Sequence, residues 1–374
     1  MIRLLLLLFS TIAFGQFTIT GNVKNSFDEP ISQVKIYLSG TTFNTYTNEK
    51  GEFTLNVPES NYQLVAQKNS YETYRTDISK SLKKTLSIQL SNEEINLNEA
   101  VIQVISKEDR AFYLKEFKRY FLGRPYSAKQ CKILNENDLR FRYDKKTNTL
   151  KVNSKNPIKI QNNYLGYMIY YDLINFQVDY QSRFVSVLGS SNFSELKNKK
   201  TSKKIVNNRL ETYKGSLEHF IKSLYQNTIT KEGFVIKRLI REENPAYIKY
   251  KEELDNQIGD KRISGKVPPK IISYLVNQSV PIDSIVTVKN ERKFLNFNGL
   301  YSVEYTKAKE DVDYAQNFRK SSFISNQTSI FSILNPVQIY ADGNYYYPED
   351  LIVEEYWSYK KIADSLPLDY IMKQ

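Results

Sequence analysis

His219 and Cys131 are the only histidine and the only cysteine among 374 residues, so the usual carriers of acid–base and nucleophilic chemistry at neutral pH are almost absent. A lone imidazole can serve as a general base, but no serine or cysteine motif accompanies it. Leu188-Gly189-Ser190-Ser191 lacks the second glycine of a nucleophile elbow. One cysteine makes no intramolecular disulfide, and one Cys with one His leaves no zinc set of nitrogen and sulfur ligands. Carboxylates are paired at Asp311-Val312-Asp313 and at Glu242-Glu243. A glycosidase needs two carboxylates facing each other across a cleft, which adjacency along the chain does not provide. Both pairs lie among polar residues and read as solvated surface, with Asp311 and Asp313 the candidate pair for a hard cation. Phosphate loops, dinucleotide glycine patterns and zincin helices are missing. The expectation is a protein without catalytic, cofactor-binding or metal-binding residues, using no cofactor and not acting as an enzyme.

The elements that hold these residues begin with a leader. Met1-Ile2-Arg3 is cationic, Leu4 to Phe9 and Thr11 to Phe14 are apolar, and Ala13 and Gly15 are small residues placed for a cut before Gln16. The run is shorter than the roughly 18 residues that span a bilayer, so residues 1–15 read as a signal peptide and not an anchor. No cysteine follows the cut to take an acyl chain. The net charge of +12 invites nucleic acid, but an exported chain with dispersed lysines rarely meets it. Plain solubility, or anionic envelope glycolipid, is the expected reason for the charge. The lysine run Lys197 to Lys204 has no interleaved aromatics and reads as a solvated loop.

Period-two alternation fills residues 16–92. Phe17, Ile19, Gly21 and Val23 share a face; Val34, Ile36 and Leu38 do likewise, with Lys35 and Tyr37 pointing away. Phe53, Leu55 and Val57, then Tyr62, Leu64 and Ala66, then Leu86, Ile88 and Leu90 continue the pattern. Asp28-Glu29-Pro30, Asn48 to Gly51 and Pro58 to Asn61 are its turns. This spacing predicts a small antiparallel sandwich. Residues 93–106 form an extended connector, and 107–374 a larger α+β domain. There, Ser106 caps a helix carrying Tyr113, Phe117, Tyr120 and Phe121 on one stripe. Leu139 to Leu150 and Ile174 to Leu188 alternate as strands, with Ile174 on the face of Phe176. A second helix has Ser216 as N-cap and Leu217, Phe220, Ile221 and Leu224 inward, which puts His219 beside the buried stripe. Lys266-Val267-Pro268-Pro269 reads as a long loop, Ile285 to Val288 and Tyr301 to Tyr305 as strands. Asp342-Gly343 is a two-residue hairpin signal. Tyr356 to Leu366 reads as strand, then short helix, its aromatics packing a core in preference to stacking on sugar or peptide.

Gly21-x-Val23, Pro30-Ile31, Val34-x-Ile36, Thr47-Asn48-x-x-Gly51-x-Phe53 and Tyr62-x-Leu64 resemble the carboxypeptidase regulatory-like domain, a transthyretin-like sandwich common in exported Bacteroidetes proteins. Glu29, where the family often has Gly, and Asn69-Ser70-Tyr71, in place of a Gly-Tyr ending, are departures at turns. The resemblance implies a non-catalytic spacer, folding or docking module. Leu97-Asn98-Glu99-Ala100-Val101-Ile102 is similar to the segment after this sandwich in TonB-dependent receptors, but too few residues follow Ser106 for a plug and about 22 strands of about ten residues. Phe121-Leu122-Gly123, Leu165 to Tyr170, Tyr213 to Phe220 and Leu366 to Tyr370 resemble exported proteins of the same group that carry no barrel, with Leu210 where an aromatic is expected; that group brings no activity.

The fold class expected is therefore mainly β with α+β. A seven-stranded Ig-like sandwich precedes a domain with a mostly antiparallel sheet and a few helices. The function expected is that of an exported, non-enzymatic cell-envelope protein, periplasmic, outer-membrane-associated or secreted. Its partner is an envelope protein or glycan, not nucleic acid, and no transmembrane span remains after cleavage. The alternatives are an accessory of an outer-membrane TonB-linked uptake or secretion system, and a carboxylate-based hydrolase in residues 107–374.

Overall fold

Seven strands form in the first part of the chain: β1 (Gln16–Asn25), β2 (Lys35–Leu38), β3 (Asn44–Tyr46), β4 (Glu52–Pro58), β5 (Tyr62–Gln67), β6 (Tyr74–Ile78) and β7 (Thr85–Leu90); alternating apolar positions build all but β3 and β6, which are mostly polar edge strands. The computed structural model describes residues 16–58, 61–78, 85–92, 106–123, 126–196, 202–256, 266–345 and 348–372. The leader and most of the extended connector lie outside them. β1 runs antiparallel to β4 but, against the expectation of an antiparallel sandwich, parallel to β7 in a three-stranded sheet, and β3-β2-β5-β6 form the facing antiparallel sheet. Ile19, Val23, Ile36, Leu38, Leu55, Leu64 and Ile88 fill the space between. Asn48 Oδ1 accepts the N–H groups of Lys50 and Glu52. Gly51 follows at φ +72, where a Cβ would stand 2.4 Å from the Val23 carbonyl oxygen, so only glycine fits that corner.

α1 (Lys107–Phe121) starts at Ser106, whose side chain accepts from the Asp109 N–H. Phe117 and Phe121 are buried and Tyr113 and Tyr120 pack beside them, as the helical spacing predicts. After the single turn α2 (Tyr126–Lys129) come β8 (Cys131–Ile133), β9 (Leu139–Asp144), β10 (Thr149–Ser154), β11 (Ile158–Asn162), β12 (Tyr167–Asp179) and β13 (Phe184–Glu195). They form one antiparallel sheet centred on the long β12. Ile174 departs from expectation: it is 47% exposed, while Phe176 and Val178 are buried. A register shift between Leu173 and Asn175 inserts one residue, and an extra residue moves a side chain to the opposite face.

The remainder comprises α3 (Lys203–Tyr213), α4 (Leu217–Gln226), α5 (Ile229–Glu232), β14 (Phe234–Glu243), α6 (Pro245–Asp255), β15 (Ile271–Ser279), β16 (Val286–Lys289), β17 (Arg292–Leu295), β18 (Leu300–Lys309), β19 (Asn326–Ile333), β20 (Val337–Ile339), β21 (Leu351–Glu355) and α7 (Tyr356–Tyr359). β15-β14-β18-β19-β21 make a five-stranded antiparallel sheet and β16-β17-β20 a small one. The described part of residues 107–374 thus holds two large hydrophobic interiors, one under α1 and one under α4, and a small cluster of Tyr314, Tyr356 and Tyr359. The lysine run is not a loop throughout. Lys203 and Lys204 open α3 with Ser202 as N-cap; Lys197 to Thr201 lie outside the described residues. α6 was also unexpected, although Asn244 caps it and Pro245 occupies its first position. Asp342-Gly343 closes a longer hairpin than expected. Tyr340 N–H reaches the Asn344 carbonyl, leaving a three-residue loop with Gly343 at φ +93. Tyr356 to Tyr359 is a helical turn, not the end of a strand.

The four-stranded sheet of the sandwich does not face solvent on its outer side. Tyr37 and Val65 point away from the sandwich interior, yet both are buried, because β12 and β13 cover them. Gly40 N–H donates to the Ser191 carbonyl at 2.7 Å, and Phe193 N–H to that of Thr41 at 2.9 Å. Arg75 pairs with Asp172, and Ser190 Oγ donates to Gln63 Oε1 at 3.0 Å. From the far end of the chain, Leu368 N–H donates to the Gly40 carbonyl and the Asp369 carboxylate takes the Thr42 N–H and hydroxyl.

Candidate functional site

His219 is buried, 5% exposed, against the expectation that it flanks the stripe of α4. Its ring lies among Tyr213, Phe234 and Tyr305, which come from α3, β14 and β18 and widen the covered face of the helix. Nδ1 accepts the Gly215 N–H at 3.2 Å, so the proton sits on Nε2, which is 3.3 Å from Glu232 Oε2. Burial lowers the imidazole pKa, and Glu232 opposes that only in part. A neutral ring with one nitrogen committed to backbone and the other to a carboxylate fixes a loop. Among the described residues no hydroxyl is bonded to the ring.

The other residues singled out are likewise structural. Cys131 rests against the Ser127 carbonyl, and burial pushes its thiol up to about 12, far from thiolate chemistry. Ser190 is spent on the sandwich contact. Glu242 and Glu243 are exposed, as expected. Asp311 and Asp313 are not bare surface: Asp311 Oδ2 accepts from Lys360 Nζ at 2.6 Å, and Asp313 Oδ2 accepts the Tyr359 hydroxyl at 2.5 Å. Among the described residues no cluster of three or more His, Cys, Asp or Glu is placed to hold a metal. Tyr356, Trp357 and Tyr359 pack inward as expected, with Trp357 Nε1 donating to the Gly215 carbonyl at 2.8 Å.

What no pattern along the chain announces is a cleft of about 1240 Å³ between the six-stranded and five-stranded sheets. One wall holds the end of α1 and the β12–β13 turn; the other holds β21, α7 and the start of α4. Tyr120, Tyr164 and Tyr345, each partly exposed, give it aromatic surface, and Tyr171, Tyr356 and Trp357 border it as buried rings. Charges of both signs are set between the rings. Arg241 holds Glu354 through two bonds of 3.0 and 2.9 Å. Glu355 sits at φ +61, ψ −129, a conformation that L-residues rarely adopt, and accepts the Tyr314 hydroxyl at 2.7 Å.

Deeper in, Asp364 takes the Ser127 hydroxyl at 2.8 Å and lies 3.8 Å from Lys360 Nζ. Burial works against the Lys360 ammonium, but Asp364, Tyr356 and Asp311 outweigh it and its pKa is raised. Burial also raises the Asp364 carboxyl, with Lys360 opposing. Glu218 keeps part of its surface open, yet its depth in the wall raises its pKa too. The arrangement can bind a ligand with polar groups and a face to stack. Tyr213 to Phe220 and Leu366 to Tyr370, two segments that carried the resemblance and announced no site, meet at a small chamber beside the cleft.

The fold and site define a mostly β protein with a regulatory-like sandwich built into a larger α+β region. Residues 19–102 match the family described as the CarboxypepD_reg-like domain. No curated protein matches the chain. Among solved structures, a type II cohesin–X-dockerin complex from Acetivibrio cellulolyticus is similar at 21% identity over 29% of this chain and 74% of that one, with a TM-score of 0.20. A DUF3823 family protein from Bacteroides ovatus is similar at 12% identity, covering 49% and 83%, with a TM-score of 0.16. A putative membrane-associated protein of unknown function from Bacteroides fragilis is similar at 10% identity, covering 90% and 94%, with a TM-score of 0.17.

Proposed function

We propose that this chain is exported to the cell envelope and acts there as a non-enzymatic binding protein. The sandwich and the six-stranded sheet form one rigid wall, and the cleft takes an envelope glycan or peptide. The observation that carries this reading is the aromatic-lined cleft itself, large enough to admit a small ligand, in a protein whose histidine, cysteine and Ser190 are all committed to structure. The leader and the regulatory-like sandwich support the envelope as its place. No helix of the described residues is long and apolar enough to cross a membrane.

Trp357 is the only tryptophan in the chain and lines the cleft, so its fluorescence reports occupancy. Titration with defined oligosaccharides and short peptides is expected to give a saturable change, with probes recovered intact. Absence of any change overturns the binding reading. The cleft carboxylates Glu218, partly open, and Asp364, whose side chain is buried, favour a hydrolase as the second reading, and cleaved probe in the same tubes would establish it. Fractionation of the source cells is expected to place the protein in the envelope; recovery from the cytosol overturns export.

A further inference from the structure

The cleft opens beside a chamber of about 20 Å³, between the first turn of α4, the Asp342 hairpin and the tail from Asp364 to Tyr370. Thr212, Ser216, Glu218 and Asp364 belong to the walls of both. That volume holds a single small polar group, about the size of one water molecule. The Asp364 side chain is 6% exposed. Its Oδ1 is bonded to Ser127, while Oδ2 is buried without a hydrogen-bond partner among the described residues. A buried carboxylate oxygen lacking a donor is costly. Lys360 does not relieve it, being turned to Asp311 at 2.6 Å and standing 3.8 Å from Oδ1.

A compact donor suits that oxygen; one water fills the space, and a donor that also carries positive charge gains the attraction of the carboxylate. A metal is poorly matched, since the described residues supply no three-ligand cluster. A primary ammonium carries three donors on a compact head, and the chamber offers the Asp364 and Glu218 carboxylates and two hydroxyls. Lys222 is the one cation in its wall. We propose that this chamber is the anchoring subsite for a primary ammonium on a ligand whose body lies along the aromatic wall. An amino sugar and a peptide amino terminus share that chemistry. This inference rests on the binding reading above.

The test pairs four probes, read by Trp357 fluorescence and calorimetry on the chain lacking residues 1–15. They are β-1,4-linked tri-glucosamine, its fully N-acetylated form, trialanine, and N-acetyl-trialanine. At least one free amine is expected to bind tenfold or more tighter than its acetylated partner, and the pair showing it identifies the source. Asp364→Asn, which keeps the shape and the Ser127 contact, is expected to abolish the preference, so that free and acetylated probes bind alike; Glu218→Gln is expected to reduce it. Thermal unfolding of both variants controls for folding. Equal binding of free and acetylated probes, or a preference intact in Asp364→Asn, overturns the subsite and leaves the cleft reading standing. If none of the four disturbs Trp357, the subsite is overturned; failure of the wider oligosaccharide and peptide titration is what removes the cleft reading.

Discussion

The Gly215 peptide is gripped from both sides, its N–H by His219 Nδ1 and its carbonyl by Trp357 Nε1. Protonating His219 therefore requires breaking the first bond as well as charging a buried ring. Because the folded imidazole pKa lies below the unfolded value of 6.5, the unfolded chain binds more protons as pH falls. The contribution is fully present above about 6.5 and is lost as pH drops through the folded value. Raised carboxyls such as Asp364 act in the opposite sense, so the comparison must be a difference. Wild type minus His219→Gln, followed by urea unfolding from pH 7.5 to 5, is expected to show stability falling with acid; a flat difference contradicts the neutral, backbone-bound ring. Gly215 itself stands at φ +75, where a Cβ would lie 2.7 Å from Tyr305 Cδ1. Gly215→Ala is expected to cost about 1–3 kcal/mol, measured by the same unfolding. That His219 is a core residue was not legible along the helix. The spacing of Leu217, Phe220, Ile221 and Leu224 describes one stripe correctly, but the rings that cover its flank arrive from strands far away in sequence.

Elements announced by local rules formed where expected. Ser216 before α4 is such a case, accepting the His219 N–H at 3.1 Å. Ser216→Ala is expected to cost about 1 kcal/mol of global stability, because α4 lies over a core. Asn244 makes an equivalent cap, its Oδ1 taking the Ala246 N–H at 3.0 Å, but α6 has no buried residue. Asn244→Ala is expected to leave the global midpoint within about 0.5 kcal/mol, while amide exchange in residues 245–255 accelerates. A large loss of global stability would mean that α6 is packed after all. Most sandwich strands and α1 were readable because alternation or the helical stripe coincides with burial. α6 was missed for the converse reason: nothing in it is buried, so only its Asn-Pro cap could have disclosed it. The β-bulge at Leu173 to Asn175 escaped because one inserted residue leaves composition and alternation nearly unchanged. The cleft escaped more completely, since α1, β13, α4 and α7 meet there without any shared local motif.

At the scale of the molecule, the sandwich is packed against the six-stranded sheet. Its outer face buries Tyr37 and Val65 against the six-stranded sheet, and Thr41 pairs with Asn192 in parallel register. Arg75 and Asp172 are each partly open at the edge, with 25% and 17% side-chain exposure, so the water left there tempers the cost of stripping one partner. Arg75→Met is expected to cost about 2 kcal/mol, below the range for a fully buried pair. Lys35 tests the same contact by pH. Its ammonium lies 4.1 Å from the Tyr170 ring centroid, and burial lowers its pKa from 10.5 to about 8. Between those values the unfolded chain holds the proton and the folded one does not, so stability rises with pH across that window. Below 8 both states are charged and the cost of burying the ammonium is felt in full. Stability measured from pH 7.5 to 9.5 is expected to climb in the wild type relative to Lys35→Met, which keeps the packing without the charge. Equal slopes for the two proteins would mean that Lys35 is solvated and the sandwich swings free of the sheet. A separate, earlier melting step for the sandwich would carry the same meaning, because a covered apolar face makes the two layers unfold together.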